Sequence, residues 1–313
     1  HVEQGLRHGG VDAVLRVALV AGEGGGDLQL EPKLGAEGSQ VAGGLQLLHQ
    51  ILGLGVGGGA LRVGDFALVV VDAQHNVGVG TDRVWDYAHN YGIPKMIVVN
   101  GVDKENGHFD DVLKTCQEHF GRHVFPLSVP VNAGPGFNKT LDVLRNEVVT
   151  YATDGSGKYT EEPATGELAD RVKQLHNDLI EHIAESDDGL MNKYFEQGGL
   201  SEEEFRAGIH SAVQKELFIP LFCTSAENNI GVARLMDFIA KYGSSPVDRE
   251  TVTAIDANGK ETEVKLNGNE TVAYVFKTMS EAHFGELSFF RVYSGTVQSG
   301  TDLFNSDRKV SER

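Results

Sequence analysis

Asn100-Gly101-Val102-Asp103 closes the apolar run Met96-Ile97-Val98-Val99, and its residue types and spacing could read a nucleobase. A carboxylate can accept from two neighbouring N–H groups, and guanine presents such a pair on one edge. An Asn can orient the loop. A backbone N–H from a second loop can meet the base oxygen, and Thr224-Ser225-Ala226 is the second loop that offers one. Taken alone, Asn100 and Asp103 also suit an ordinary polar strand-to-helix turn, because Asn and Asp favour such turns. The two loops together allow the guanine reading, and the plain turn stays open beside it.

The elements that must hold these loops can be read from apolar patterning. Phe66–Ala73 and Lys95–Val99 are short continuous apolar runs with β-branched residues, as expected of buried parallel strands. Between them Val84, Ala88 and Tyr91 fall at helical spacing over 80–91, and Gly92-Ile93-Pro94 stops the helix. An amphipathic helix is expected over 110–120, a strand over 124–131 and a turn at Gly134-Pro135-Gly136. Residues 153–167 read as a polar loop, followed by helices over 167–185 and 201–215, the second capped by Ser201. Strand character returns over 217–223 and helix over 231–242. The alternation predicts a doubly wound α/β domain, with ligand loops beyond the carboxyl ends of its strands. An inserted α+β segment is expected at about 124–216. After the Gly243–Asp248 linker, alternating strands including 272–278 and 287–294 predict the start of a β-barrel or sandwich.

A chain of 313 residues has room for two domains. The net charge of −18 argues against a simple basic nucleic-acid footprint, so sequence-specific DNA binding is not expected. Cys116 and Cys223 are the only thiols, which fits a reducing cytosol and two buried small hydrophobes better than a disulfide scaffold. The longest apolar stretch, around 45–56, is interrupted by His49 and Gln50 and is too short to span a bilayer. A soluble, cytoplasmic and monomeric protein is expected.

Residues 1–60 hold 16 glycines and no Phe, Tyr or Trp, whereas all 24 aromatics lie in the rest. Few of these residues can nucleate a core, and ordering so much glycine costs backbone entropy. Gly22-Glu23-Gly24-Gly25-Gly26-Asp27 invites comparison with a phosphate loop. It matches neither G-x-x-x-x-G-K-[ST] nor a clean G-x-G-x-x-G, and no Lys or Ser/Thr is placed to meet phosphate. A Gly-rich segment without that role, or a stretch read from the wrong frame or strand, are the other readings. Elsewhere His108, His119 and His123 lack a tight ligand grouping, and no metal site is expected. Glu202-Glu203-Glu204 and Asp187-Asp188 read as helix starts, and Trp85 as core. No catalytic residue is identified.

From about Ala60 onward the chain resembles bacterial translation elongation factor G and its paralogues. The resemblance rests on Ala60-Leu61-Arg62-Val63-Gly64-Asp65 with Val69-Val70-Val71-Asp72-Ala73, on Asn100-Gly101-Val102-Asp103, and on Thr224-Ser225-Ala226 with Asn229-Ile230-Gly231-Val232. Ser245-Pro246-Val247-Asp248 and Phe289-Phe290-Arg291-Val292-Tyr293-Ser294-Gly295 are its most specific segments. It implies a P-loop-NTPase-type G domain, incomplete here, over 60–243, with the 124–216 insertion as its extra subdomain. It also implies a second, β-barrel domain beginning at 250–313 and truncated, and leaves 1–59 without a family match.

The implied activity is GTP hydrolysis coupled to translocation or recycling on the ribosome, with GTP or GDP and Mg²⁺ as cofactors. Asp103 would accept from the guanine nitrogens and Asn100 would bridge loop and base edge. The Ala226 N–H would face the base oxygen, with Ser225 holding the turn. In the usual motif a Lys stem packs over the base, and here Gly101 stands in its place. The family's phosphate loop, switch I Thr and switch II Asp-x-x-Gly should precede Ala60, and none is found there. The expectation is a fragment inactive by itself in phosphoryl transfer; the alternative is a non-catalytic ribosome- or protein-binding module that keeps the fold.

Overall fold

The computed structural model describes residues 6–8, 11–13, 17–21, 61, 63–256, 258–281 and 285–313. The glycine-rich run Gly22–Asp27 and the turn at His283-Phe284 lie outside the described residues. Two compact units divide between Ser244 and Ser245.

The first unit opens with a hairpin of β1 (Leu6–His8) and β2 (Val11–Ala13). Its centre is a five-stranded sheet built from β3 (Val17–Ala21), β4 (Phe66–Asp72), β5 (Lys95–Asn100), β6 (Val124–Pro126) and β11 (Ile219–Thr224). The strands lie in the order β3-β4-β5-β11-β6, every neighbouring pair parallel. The pairing of β3 with β4 is long-range, and no local pattern announces it. The apolar runs of β4, β5 and β11 are buried along nearly their whole length, as a sheet covered on both faces requires. Helix α1 (Val79–Asn90) buries Val84 and Ala88 against Ala67 and Val69, while Phe66 and Leu68 point into the larger core with α2 (Phe109–Phe120). Trp85 is half-buried rather than fully so, stacked on Phe120 with ring centroids 3.9 Å apart.

After β6 the chain leaves the sheet and returns at β11, which inserts between β5 and β6. The excursion forms an antiparallel sheet of β7 (Ser128–Pro130), β8 (Lys139–Asp142), β9 (Glu147–Tyr151) and β10 (Tyr159–Pro163), with helices α3 (Glu167–Ala184), α4 (Asp188–Gln197) and α5 (Glu202–Gln214). The single strand expected over 124–131 is therefore two strands of different sheets, broken at Leu127. β10 runs through the expected polar loop. It is an edge strand with mostly exposed side chains, held by backbone pairing to β9, so it carries no hydrophobic alternation to betray it. α4 has no buried residue and was legible only at its start, where the Asp187 carboxylate accepts from the Gly189 and Leu190 N–H groups. At α5, Ser201 and Glu204 form a capping box, and a hydrogen bond from Lys193 holds the Glu204 carboxyl down to about 2. The last element, α6 (Val232–Tyr242), packs Leu235, Phe238 and Ile239 into the core.

The second unit consists of three antiparallel pairs: β12 (Thr251–Ile255) with β13 (Glu261–Lys265), β14 (Val272–Glu281) with β15 (Gly285–Ser294), and β16 (Leu303–Asn305) with β17 (Val310–Glu312). They are β-rich, as expected from residue 250, but form three two-stranded sheets among the described residues and no closed barrel.

A buried ion cluster fastens the inserted sheet to α6. The Arg234 side chain, 5% exposed, lies 2.5 Å from Glu147 and 3.5 Å from Asp142, donates to Glu161, and stacks 5.0 Å from the Tyr159 ring centroid. Burial pushes the Asp142 and Glu147 carboxyls above their ordinary values. A carboxylate with a raised folded pKa contributes stability below its unfolded pKa and loses it as pH rises through the folded value. Removing the buried cation, which leaves Arg145 at 3.8 Å from Glu147 and 3.6 Å from Glu161, should therefore hurt most at neutral pH. Arg234→Met is expected to lower unfolding free energy by about 3–5 kcal/mol near neutral pH. The deficit should shrink as pH falls through the raised pKa values of Asp142 and Glu147, which urea titration across pH will show.

Candidate functional site

Strand register brings three polar residues to one edge. Asp72 pairs with Asn100 and Asn100 with Thr224, so the carboxyl ends of β4, β5 and β11 lie side by side. The Asn100 carboxamide oxygen accepts the Thr224 hydroxyl at 3.1 Å and the Ala226 N–H at 2.9 Å. Two loops separated by 124 residues of chain are thus joined through one side chain. The Val102 N–H adds a backbone tie to the Thr224 carbonyl at 3.3 Å.

The second loop is a tight turn. Ser225 and Ile230 exchange backbone hydrogen bonds at 3.0 and 2.9 Å, and Ser225 Oγ accepts the Asn228 N–H at 3.4 Å. Asn229 sits at φ +55°, a left-handed conformation that Asn tolerates better than most residues. Gly231 follows at φ +79°, where a Cβ would stand 2.5 Å from the Cys223 carbonyl oxygen, so only glycine lets α6 start so close to β11. Burial pushes the Cys223 and Cys116 thiols up to about 12, leaving both as inert core groups.

Asp103 crosses towards this turn. Its Oδ2 accepts the Asn228 side-chain amide at 2.9 Å, whereas its Oδ1 is buried without a hydrogen-bond partner among the described residues. A buried carboxylate oxygen without a partner is uncommon, because leaving it unpaired is costly. Lys104 adds a third tie, donating to Glu227 at 2.6 Å. That hydrogen bond raises the Lys104 pKa above its ordinary 10.5 and lowers that of Glu227 below 4.5. The bridge is accordingly complete between those values. It is lost as pH falls through the lowered Glu227 pKa or rises through the raised Lys104 pKa. Both side chains are largely exposed, so it contributes at most about 1 kcal/mol.

All four expected residues, Asn100, Asp103, Ser225 and Ala226, therefore meet in one place. The Ala226 N–H, expected to face a base oxygen, is here committed to Asn100, so it can meet a base only as a shared donor or after the carboxamide shifts. Gly101 has φ +80°, and a Cβ there would stand 3.6 Å from Lys104 Cγ. There is space for a side chain at 101, but the backbone conformation disfavours one, and the Lys104 stem lies beside the position. Asn228, Lys104 and Glu227 were missed in the sequence because each acts across a long stretch of chain and has no local signature; Asn229 stood in a motif but was given no role. No group of three or more His, Cys, Asp or Glu residues that could hold a metal occurs among the described residues. No helix among them is long and apolar enough to cross a membrane.

The family described as "Elongation factor Tu GTP binding domain" matches residues 57–245. The crystal structure of a protein from Thermus thermophilus is similar, with a TM-score of 0.67 and 29% sequence identity. The similarity covers 79% of this chain and 34% of the Thermus chain, so this chain spans about a third of that protein's length.

Because Thr224 is 2% exposed, deleting its acceptor strands a buried hydroxyl as well as the Ala226 N–H. Asn100→Ala is expected to cost about 1–3 kcal/mol of unfolding free energy. Hydrogen exchange at the Ala226 amide should also accelerate, and unchanged exchange there would contradict the bridging role.

Proposed function

Because the chain belongs to the family of the elongation factor Tu GTP-binding domain, as an elongation-factor-G-like translational GTPase, we propose that Asn100, Asp103, Ser225 and Ala226 hold the guanine base of GTP or GDP. The observation that carries the reading is Asp103 Oδ1, buried without a hydrogen-bond partner among the described residues. Guanine offers two N–H donors to a carboxylate and an acceptor nitrogen on its far edge to an amide. Adenine presents a ring acceptor and a C–H where guanine presents its two donors, so the same carboxylate would face a lone pair. Guanine satisfies this acceptor and adenine leaves it unpaired, a difference of about 1–3 kcal/mol.

The residues present fit a base better than they fit a whole nucleotide. Phosphoryl transfer depends on backbone N–H groups, a Lys and Mg²⁺ around the terminal phosphates. The motif G-x-x-x-x-G-K-[ST] occurs nowhere in the 313 residues. No residue described here is assigned to Mg²⁺, and no step is derived through it. We therefore assign this chain recognition of the base without turnover. In the whole protein the same loops would serve GTP hydrolysis coupled to work on the ribosome, in translocation or recycling, in the cytoplasm and as a monomer.

Calorimetric titration of the full chain with GDP and with ADP tests the reading. GDP is expected to bind and ADP not to. Asp103→Asn turns an acceptor into a donor and should weaken GDP about 10- to 100-fold, the range for hydrogen bonds to a charged group. Equal affinity for the two nucleotides, or an Asp103→Asn variant that binds GDP unchanged, overturns it. No GTP turnover dependent on Asp103 is expected.

A further inference from the structure

The inserted segment touches both base loops, and at each contact its backbone meets them. In the turn between β7 and β8, the Gly134 N–H donates to the Val102 carbonyl at 2.8 Å, in the middle of the Asn100–Asp103 loop. In the turn between β9 and β10, the Gly155 carbonyl accepts from Asn229 Nδ2 at 3.4 Å. Gly157, at φ +71°, lies so close to the same carboxamide that a Cβ would stand 2.5 Å from Asn229 Nδ2 and 2.9 Å from its Cγ. That turn is itself ordered by Asp154, which accepts the Ser156 N–H at 2.9 Å, and by Ser156 Oγ, which accepts the Lys158 N–H at 3.3 Å.

Asn228 and Asn229 are consecutive residues with opposite assignments. The first reaches Asp103, and the second is seated on the insertion. A short turn fixed at one residue transmits displacement to the next, because its backbone is closed at the neck by the Ser225–Ile230 pair. We propose that the inserted α+β segment is a brace for the base site, with Asn229 as a positioning residue. The packing of Gly155 and Gly157 on Asn229 sets where Asn228, and through it Asp103, stands. The proposal rests on the guanine reading above. It makes base affinity depend on how the insertion sits, a coupling between an element without base contacts and the residue that recognises the base.

The test is a set of GDP titrations on the full chain. Gly157→Ala should weaken GDP about fivefold or more, the lower range of such couplings. Gly198→Ala, at the end of α4 in the same insertion, imposes the same left-handed strain at φ +72°, yet its Cβ meets nothing within 4 Å, so affinity should hold. Asn229→Gly removes the contact from the other side and should weaken GDP alone, with Gly157→Ala adding nothing further in the double variant. Gly157→Ala behaving like Gly198→Ala, or adding its full effect on top of Asn229→Gly, overturns the brace while leaving the guanine reading intact. Loss of the Asp103→Asn effect overturns both readings, as does a wild-type chain that does not bind GDP.

Discussion

The parallel register of β4, β5 and β11 is the constraint on which the site depends. It sets Asp72, Asn100 and Thr224 abreast at the carboxyl edge of the sheet. A slip of one residue would turn Asn100 to the opposite face and separate it from the Thr224 hydroxyl and Ala226 N–H it bridges. The register is in turn fixed by burial on both faces. Ile97, Val99, Leu221 and Cys223 are fully enclosed and leave no room for a polar residue among them. Apolar packing thus places a polar bridge whose atoms contribute little to the core themselves.

The bridge explains why the remaining groups meet. With the two loops tied at Asn100, the Ser225–Ile230 turn hangs over the Asn100–Asp103 loop, and Asn228 comes within reach of Asp103. Gly101 and Gly231 serve the same arrangement by different means. Gly101 lets the first loop turn back sharply at φ +80°, and Gly231 lets the helix begin against a strand carbonyl. The insertion joins through Gly134, Gly155 and Gly157, positions where its backbone approaches a loop of the G-domain sheet directly.

The core of the fold was legible in the sequence because its signals are local. Buried parallel strands read as unbroken apolar runs, and α2, α3, α5 and α6 followed from helical spacing and caps close to their observed ends. Less legible were elements held by the backbone or by distant partners. Val17–Ala21 lies in a glycine-rich neighbourhood and becomes a strand only through β4. Tyr159–Pro163 is a polar edge strand, and α4 presents no apolar face to a core. The site divides in the same way. Asn100, Asp103, Ser225 and Ala226 stand in motifs, whereas Asn228, Lys104 and Glu227 matter through contacts between residues far apart in the chain.

We propose that this chain retains an ordered reader of the guanine edge. The most direct measurement is a nitrogen–proton correlation spectrum of the labelled chain, recorded while guanosine and, separately, adenosine are added, so that no phosphate contributes. The side-chain amide signals of Asn100 and Asn228 and the backbone signal of Ala226 are expected to move with guanosine and stay in place with adenosine. Signals that move with neither nucleoside, or equally with both, would contradict it.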